Sequence, residues 1–142
     1  MNRISAEEAN KLLEAGWIYL DVRSEPEFEQ GHPKGALNIP LLKAGPGGMV
    51  PNDDFLRVAR ATFPLSSKIV VGCQSGGRSF RAAQMLQGVG YAEVVDQRAG
   101  FGGARDGSGR IVEPGWAAAQ LPTESGPSPG RAYLDLEKAA LR

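Results

Sequence analysis

Cysteine and histidine are almost absent: the 142-residue chain holds one of each, Cys73 and His32. A single cysteine excludes an internal disulfide, an internal thiol relay and any multi-cysteine zinc site, and a single histidine leaves metal binding to carboxylates. Charge of one sign is missing too. Lysine and arginine number 16, as do aspartate and glutamate, for a formal net charge of +0. No global field therefore draws in nucleic acid or anionic lipid, and any anion site has to be local. No run approaches the roughly 18 apolar residues a membrane span needs. The N-terminal stretch from Met1 to Lys11 lacks the apolar core of a secretory signal. These absences predict a soluble, intracellular protein, cytoplasmic or lodged in an organelle after removal of a transit peptide.

What is present suits one domain. Hydrophobic residues make up 42% and charged residues 23% of a 15.1 kDa chain, near the globular average. Ser5 and Glu8 have the spacing of a capping box, and Ala9, Leu12 and Leu13 continue at helical spacing up to Gly16. Residues 17–22 read as a strand buried on both faces and ending in Asp21. A helical turn is expected over 25–30, a short strand over 36–39, and a loop around Gly45-Pro46-Gly47-Gly48. Asn52 or Asp53 is placed to cap a helix carrying Phe55, Leu56, Val58 and Ala59 and ending by Pro64. Lys68 to Cys73 reads as a strand that delivers the only thiol. A helix follows through Leu86 with Gly88 and Gly90 as its stop, and then a strand over 93–96. Strands alternating with helices predict an α/β domain, its small, largely parallel sheet flanked by helices on both faces. A short helix is expected over 114–119. Residues 1–122 form the domain in this reading. Residues 123–142 are a linker by composition and a tail whose Tyr133, Leu134 and Leu136 fold back onto it.

The chemistry centres on Cys73. In an open α/β sheet, ligands collect at the carboxyl ends of strands, where loops enter helix N-termini. The next residues, Gln74-Ser75-Gly76-Gly77-Arg78-Ser79, contain two glycines that let successive N–H groups turn inward beside the unpaired amides of the helix. Such a cradle suits an anion, and with the charge of Arg78 it is expected to lower the thiol pKa below its reference of about 8.5.

The segment Cys73-Gln74-Ser75-Gly76-Gly77-Arg78 resembles the Cys-x-x-Gly-x-Arg active loop of single-domain rhodaneses. A second stretch agrees with that family: Asp21-Val22-Arg23, then Glu27-Phe28, then residues 31–40 from Gly31-His32 through Gly35-Ala36 to Asn38-Ile39-Pro40. Pro33 stands where the family more often has isoleucine, which touches only the local loop shape. The resemblance runs from about residue 5 to Leu121. It implies a rhodanese-like domain that moves a sulfane sulfur from a donor such as thiosulfate, mercaptopyruvate or a protein persulfide, by double displacement and without a cofactor. Cys73 is the implied nucleophile and persulfide carrier, with Arg78 and the backbone from Gln74 to Ser79 binding the anionic donor. With no second cysteine, the acceptor is external: cyanide, a small thiol or a partner protein. No nucleic acid or membrane partner is expected.

Other residues receive plainer roles. Asp21 is expected to support the site, by accepting N–H groups of the cysteine loop or by pairing with an arginine. Arg23 is expected to form an ion pair with Glu27 or Glu29. The family position matching His32 is a structural one. The Gly100-Phe101-Gly102-Gly103 run lacks the lysine and serine or threonine of a phosphate loop, which leaves a turn beside the active loop. Trp116 and Tyr133 read as packing anchors. Two rival functions use the same residues. A cysteine phosphatase or arsenate reductase also has a thiolate, an anion cradle and an arginine, but the phosphatase signature sets five residues between cysteine and arginine, not the four found here, and Gly72 replaces its preceding histidine. A non-catalytic interaction module or thiol redox sensor is the other, and retention of both Cys73 and Arg78 weighs against it.

Overall fold

Short β-branched runs separated by amphipathic segments can bury both faces of a sheet only if helices cover each side. In a computed structural model, which describes residues 1–142, the first half of the chain forms β1 (Asn2–Ile4), α1 (Ala6–Glu14), β2 (Ile18–Asp21), α2 (Glu25–Gln30), β3 (His32–Pro33), β4 (Leu37–Asn38), β5 (Leu42–Gly45) and β6 (Gly48–Pro51). Then come α3 (Phe55–Thr62), β7 (Lys68–Gly72), α4 (Gly77–Gly88), β8 (Glu93–Gln97), β9 (Ala104–Arg105), β10 (Ile111–Glu113), β11 (Thr123–Glu124) and α5 (Tyr133–Ala140). Five strands lie side by side in the order β1, β8, β7, β2, β4, all parallel. The chain leaves β2 toward β4 on one side and β7 toward β8 on the other, so the order reverses between the two central strands, where a crevice forms at their carboxyl ends. Register aligns Asp21 with Gly72 and Val71 with Asp96.

Alternation along the strands divides the core. Leu20, Val22, Ile69, Val71 and Cys73 point to the face covered by Val58 and Ala59 of α3, Ala83 and Leu86 of α4, and Tyr133 and Leu136 of α5. Tyr19, Val70 and Val95 point the other way, toward Ala6 and Ala9 of α1, Phe28 and Trp116. Trp116 meets Tyr19 edge-on at 5.5 Å and donates its indole N–H to the Pro122 carbonyl at 2.8 Å. No helix is long and apolar enough to cross a membrane.

The ends of the helices follow side-chain chemistry. Ser5 and Glu8 form the expected reciprocal capping box on α1, and Ser24 with Glu27 forms a second on α2. At α3 the cap position falls to Asp54, whose side chain takes no backbone N–H of the helix but meets Arg57 Nε at 3.3 Å; Asn52 Oδ1 accepts the Asp54 N–H.

Three segments differ from the sequence reading. Residues 2–4, read as part of the polar N-terminus, pair in parallel with β8 as an edge strand. The glycines at 45–48 close a hairpin between β5 and β6. Residues 114–119 make hydrogen-bonded turns and no helix, with the Trp116 N–H given to the Gly100 carbonyl and the Ala117 N–H to that of Phe101. Tertiary hydrogen bonds there replace the intrahelical ones.

Besides the packing of Tyr133 and Leu136, one carboxylate joins the C-terminal stretch to the loop after β3. Glu124, on β11 beside β3, accepts from the Gly35 N–H at 3.1 Å and from Arg131 Nη1 at 2.5 Å, and it faces His32 Nε2 at 3.1 Å. His32 is buried, stacks on Phe28, and donates from Nδ1 to the Phe28 carbonyl at 2.6 Å, so its ring holds a loop in place. The Arg131 hydrogen bond, helped by Gly35 and His32, holds the Glu124 carboxyl at about 2 against the opposing effect of burial. A carboxyl depressed in this way stabilises the fold fully above its unfolded value of about 4.3 and loses that contribution as pH falls toward 2. Glu124→Gln is therefore expected to lower the thermal midpoint at neutral pH, with the gap to the parent protein closing progressively as pH is lowered from about 4.3; a pH series of unfolding curves checks this.

Candidate active site

β7 is apolar up to Gly72, and the residue after it is the thiol. Gly72 has no side chain because Tyr19 lies across it: a Cβ there would sit 1.7 Å from the tyrosine oxygen. Cys73 is 2% exposed. The chain then curls through Gln74, Ser75 and Gly76 into α4, and the Gly76 N–H donates to Cys73 Sγ at 3.1 Å. Gly76 sits in the left-handed region at φ +105°, where a Cβ would stand 2.4 Å from the Arg98 carbonyl oxygen. Sγ thus lies at the N-terminus of a 12-residue helix, the positive end of its dipole.

A loop with N–H groups turned inward presents carbonyls outward, and buried carbonyls need donors. Phe101 N–H donates to the Cys73 carbonyl at 2.7 Å and Gly102 N–H to the Gln74 carbonyl at 2.9 Å. The glycine-rich run at 100–103 is the outer wall of the cysteine loop. The Gly76 carbonyl receives the Phe80 N–H at 3.2 Å and Arg3 Nη2 at 3.2 Å.

Charged side chains ring the loop in pairs. Arg78 donates to both oxygens of Glu27, at 2.8 and 3.1 Å. Burial works to raise the Glu27 carboxyl, but the Arg78 hydrogen bonds and charge, with the Ser24 cap, outweigh it and hold the group at about 2. Arg23 is buried, grips both oxygens of Asp21, donates to the Gly31 carbonyl at 2.6 Å and to Gln74 Oε1 at 3.2 Å, and lies over the Phe101 ring at 4.6 Å. The expected pairing of Arg23 with Glu27 or Glu29 is therefore corrected: Asp21 is two residues away along an extended strand end and reaches Arg23 first, while Glu27 turns to Arg78 across the crevice. Asp21 takes no N–H from the cysteine loop; it acts on that loop through Arg23 and Gln74. A cleft of about 460 Å³ opens beside these groups, lined by Arg23, Glu27, Gln30, Gly31, Gln74 and Phe101.

The residues singled out from sequence occupy one turn. Cys73, Gly76 and Ser79 are buried, Arg78 is half-buried, and Gln74, Ser75 and Gly77 are exposed at the rim. Phe101 belongs to the run read as a turn beside the active loop, and its N–H on the Cys73 carbonyl places it there. The site also contains residues that the sequence reading gave no role in it: Glu27, Arg3 and Asp96. Glu27 stood in the family-like stretch, and Asp96 ends an apolar run as Asp21 does, whereas Arg3 carried no signal.

The parallel α/β sheet thus sets a lone thiol at a helix N-terminus, with the Gly76 N–H on its sulfur and an arginine in the first turn of that helix, an arrangement of the class suited to thiolate chemistry on small anions. Within that class, the chain belongs to the rhodanese-like domain family, whose pattern matches residues 5–104. It is 41% identical over 122 residues to Thiosulfate sulfurtransferase 16, chloroplastic, of Arabidopsis thaliana, covering 86% of this chain and 92% of that one. It is 40% identical over 93 residues to Rhodanese-like domain-containing protein 15, chloroplastic, of the same plant, covering 66% of this chain and 51% of that protein's length. Among solved structures, the crystal structure of Rv0390 from M. tuberculosis superposes with a TM-score of 0.74 at 27% identity, covering 89% of this chain and 98% of that one.

The left-handed geometry at Gly76, with a backbone oxygen against its Cα, leaves no room for a side chain. Gly76→Ala is expected to cost about 2 kcal/mol or more, lowering the thermal midpoint by at least about 4 °C, whereas alanine at the exposed, open Gly77 is expected to leave it nearly unchanged; thermal unfolding of both variants checks the contrast.

Proposed function

We propose that the protein is a sulfurtransferase that moves a sulfane sulfur from a small anionic donor such as thiosulfate to a thiophilic acceptor, through a persulfide on Cys73. The observation that carries this reading is the Gly76 N–H directed at Cys73 Sγ at the N-terminus of α4. Family membership and the relative named a thiosulfate sulfurtransferase support it.

The steps use groups already described. The Cys73 thiolate attacks the outer sulfur of thiosulfate; a new S–S bond forms, the donor's own S–S bond breaks, and its electron pair leaves with sulfite. The persulfide is as anionic as the thiolate it replaces, so the same amide dipoles stabilise both. Arg78 has five N–H donors, of which two serve Glu27, and the rest suit the oxyanion end of the donor. Cyanide, a small thiol or a protein thiol then attacks the outer sulfur and regenerates the thiolate. A nucleophile only 2% exposed favours a terminal sulfur over a bulky group. Both plant relatives are named chloroplastic, so an organelle joins the cytoplasm among the compartments proposed for this chain.

Incubation with thiosulfate is expected to add one sulfur, about 32 Da, to the intact mass, and cyanide to remove it with release of thiocyanate. Cys73→Ser abolishes the adduct, and Arg78→Ala slows its formation by about 100-fold. Absence of any adduct with thiosulfate, mercaptopyruvate and a persulfide donor alike overturns the reading.

A further inference from the structure

A continuous line of hydrogen bonds, none of its members lining the cleft, runs from the thiol at the end of β7 through α4 to the strands β8 and β1. Cys73 Sγ lies 3.4 Å from Ser79 Oγ, Ser79 Oγ lies 2.5 Å from Asp96 Oδ1, and Asp96 Oδ2 accepts from Arg3 Nε at 2.7 Å. Ser79 and Asp96 are fully buried. A serine hydroxyl has one proton to give, and here three acceptors surround it: Asp96 Oδ1, the Gly76 carbonyl at 3.2 Å and Sγ. The nearest is a carboxylate. While Asp96 is ionised it claims that proton, and Ser79 presents only lone pairs to Sγ, an arrangement that suits a thiol donating S–H. When a proton sits on Asp96, the carboxyl becomes the donor to Oγ, and the hydroxyl is released to point at a thiolate.

We propose that Asp96 is a positioning residue of the reacting thiol, relaying through Ser79 to set whether Cys73 is held as thiol or thiolate. The proposal rests on the reading of Cys73 as the reacting group. The relay step balances without any other reagent: the Cys73 proton passes to Ser79 Oγ as the Ser79 proton passes to Asp96 Oδ1, and one negative charge moves from carboxylate to sulfur. Burial pushes the Asp96 carboxyl above the usual range despite the hydrogen bonds from Ser79 and Arg3, in the direction that eases its taking the proton.

The charged and titratable groups around this pair are Arg3 on β1, Tyr19 and Asp21 on β2, Arg23 just after it, Glu27 on α2 and Arg78 on α4. Burial raises the Tyr19 hydroxyl well above its ordinary value, so it stays neutral. Asp21 is held by Arg23, and Glu27 by Arg78 and Ser24. Asp96 is the one carboxylate joined to Sγ through a side chain's hydroxyl.

Asp96→Asn tests this with a defined orientation. Arg3 Nε is a donor, so the amide oxygen must face it and the NH₂ must face Ser79 Oγ, which mimics the protonated carboxyl. Because the chain has one cysteine, ¹³Cβ-labelled cysteine gives one NMR resonance whose pH titration reads the Cys73 thiolate directly, with no sulfur donor present. Asp96→Asn is expected to raise the thiolate fraction below the wild-type midpoint by about tenfold, equal to one pH unit. In a Ser79→Ala background the same substitution is expected to raise it by a factor at least about threefold smaller, because only the field of the lost charge then acts on the sulfur. No rise, or an equal rise in both backgrounds, overturns the relay. Should Asp96→Asn not fold, the unmutated side chains decide: the wild-type resonance is expected to show a second inflection where Asp96 takes its proton, absent in Ser79→Ala, and a single-step wild-type titration overturns the proposal. Failure of sulfur transfer appears in the intact mass instead, so the two readings fall separately.

Discussion

A loop that turns its amides toward a sulfur must turn its carbonyls away from it, and that requirement organises the molecule around Cys73. The carbonyls of Cys73 and Gln74 are met by the N–H groups of Phe101 and Gly102, and that of Gly76 by Arg3. The wall at 100–103 is in turn held by the turn at Trp116, whose N–H donates to Gly100. Trp116 packs on Tyr19, and Tyr19 crosses Gly72 to close the floor of the site. Edge strand β1 brings in Arg3. Segments of weak intrinsic structure thus gain their conformation from the cost of leaving buried backbone groups without partners.

The same arrangement explains how a chain of zero net charge can build an anion site. Three arginine–carboxylate pairs stand around the thiol: Arg78 with Glu27, Arg23 with Asp21, and Arg3 with Asp96. Each pair cancels its own charge. The attraction for an anion then comes from oriented dipoles at the start of α4 and from guanidinium N–H groups not taken up by a carboxylate. In the proposed sulfur transfer, dipoles fixed by the fold need no reorganisation between thiolate and persulfide. The buried Arg23–Asp21 pair adds little net stability beyond what apolar groups would give, yet losing one partner strands a charge, which ties the integrity of the site to both of its members.

Much of this was legible along the chain. The strands over 17–22, 68–73 and 93–96, the helix after the thiol and the capping box at Ser5 all follow from local pattern, because a strand buried on both faces or an amphipathic helix imposes its period on consecutive residues. The misplaced elements are those whose hydrogen bonds come from elsewhere. β1 has three residues and no apolar alternation, and exists only because β8 offers it an edge. The alanines after Trp116 have helical propensity, but the amides of Trp116 and Ala117 are spent on the carbonyls of Gly100 and Phe101 in the cysteine-loop wall.

For the site, sequence alone determined the thiol, the glycines and the arginine of one tight loop, since they stand within six consecutive residues. Which carboxylate each arginine meets was decided only in three dimensions. Arg78 finds Glu27 from 51 residues away and Arg3 finds Asp96 from 93. Such partners are chosen by the order and register of a parallel sheet, where neighbours in space are separated by whole crossover connections and leave no periodic trace in the chain.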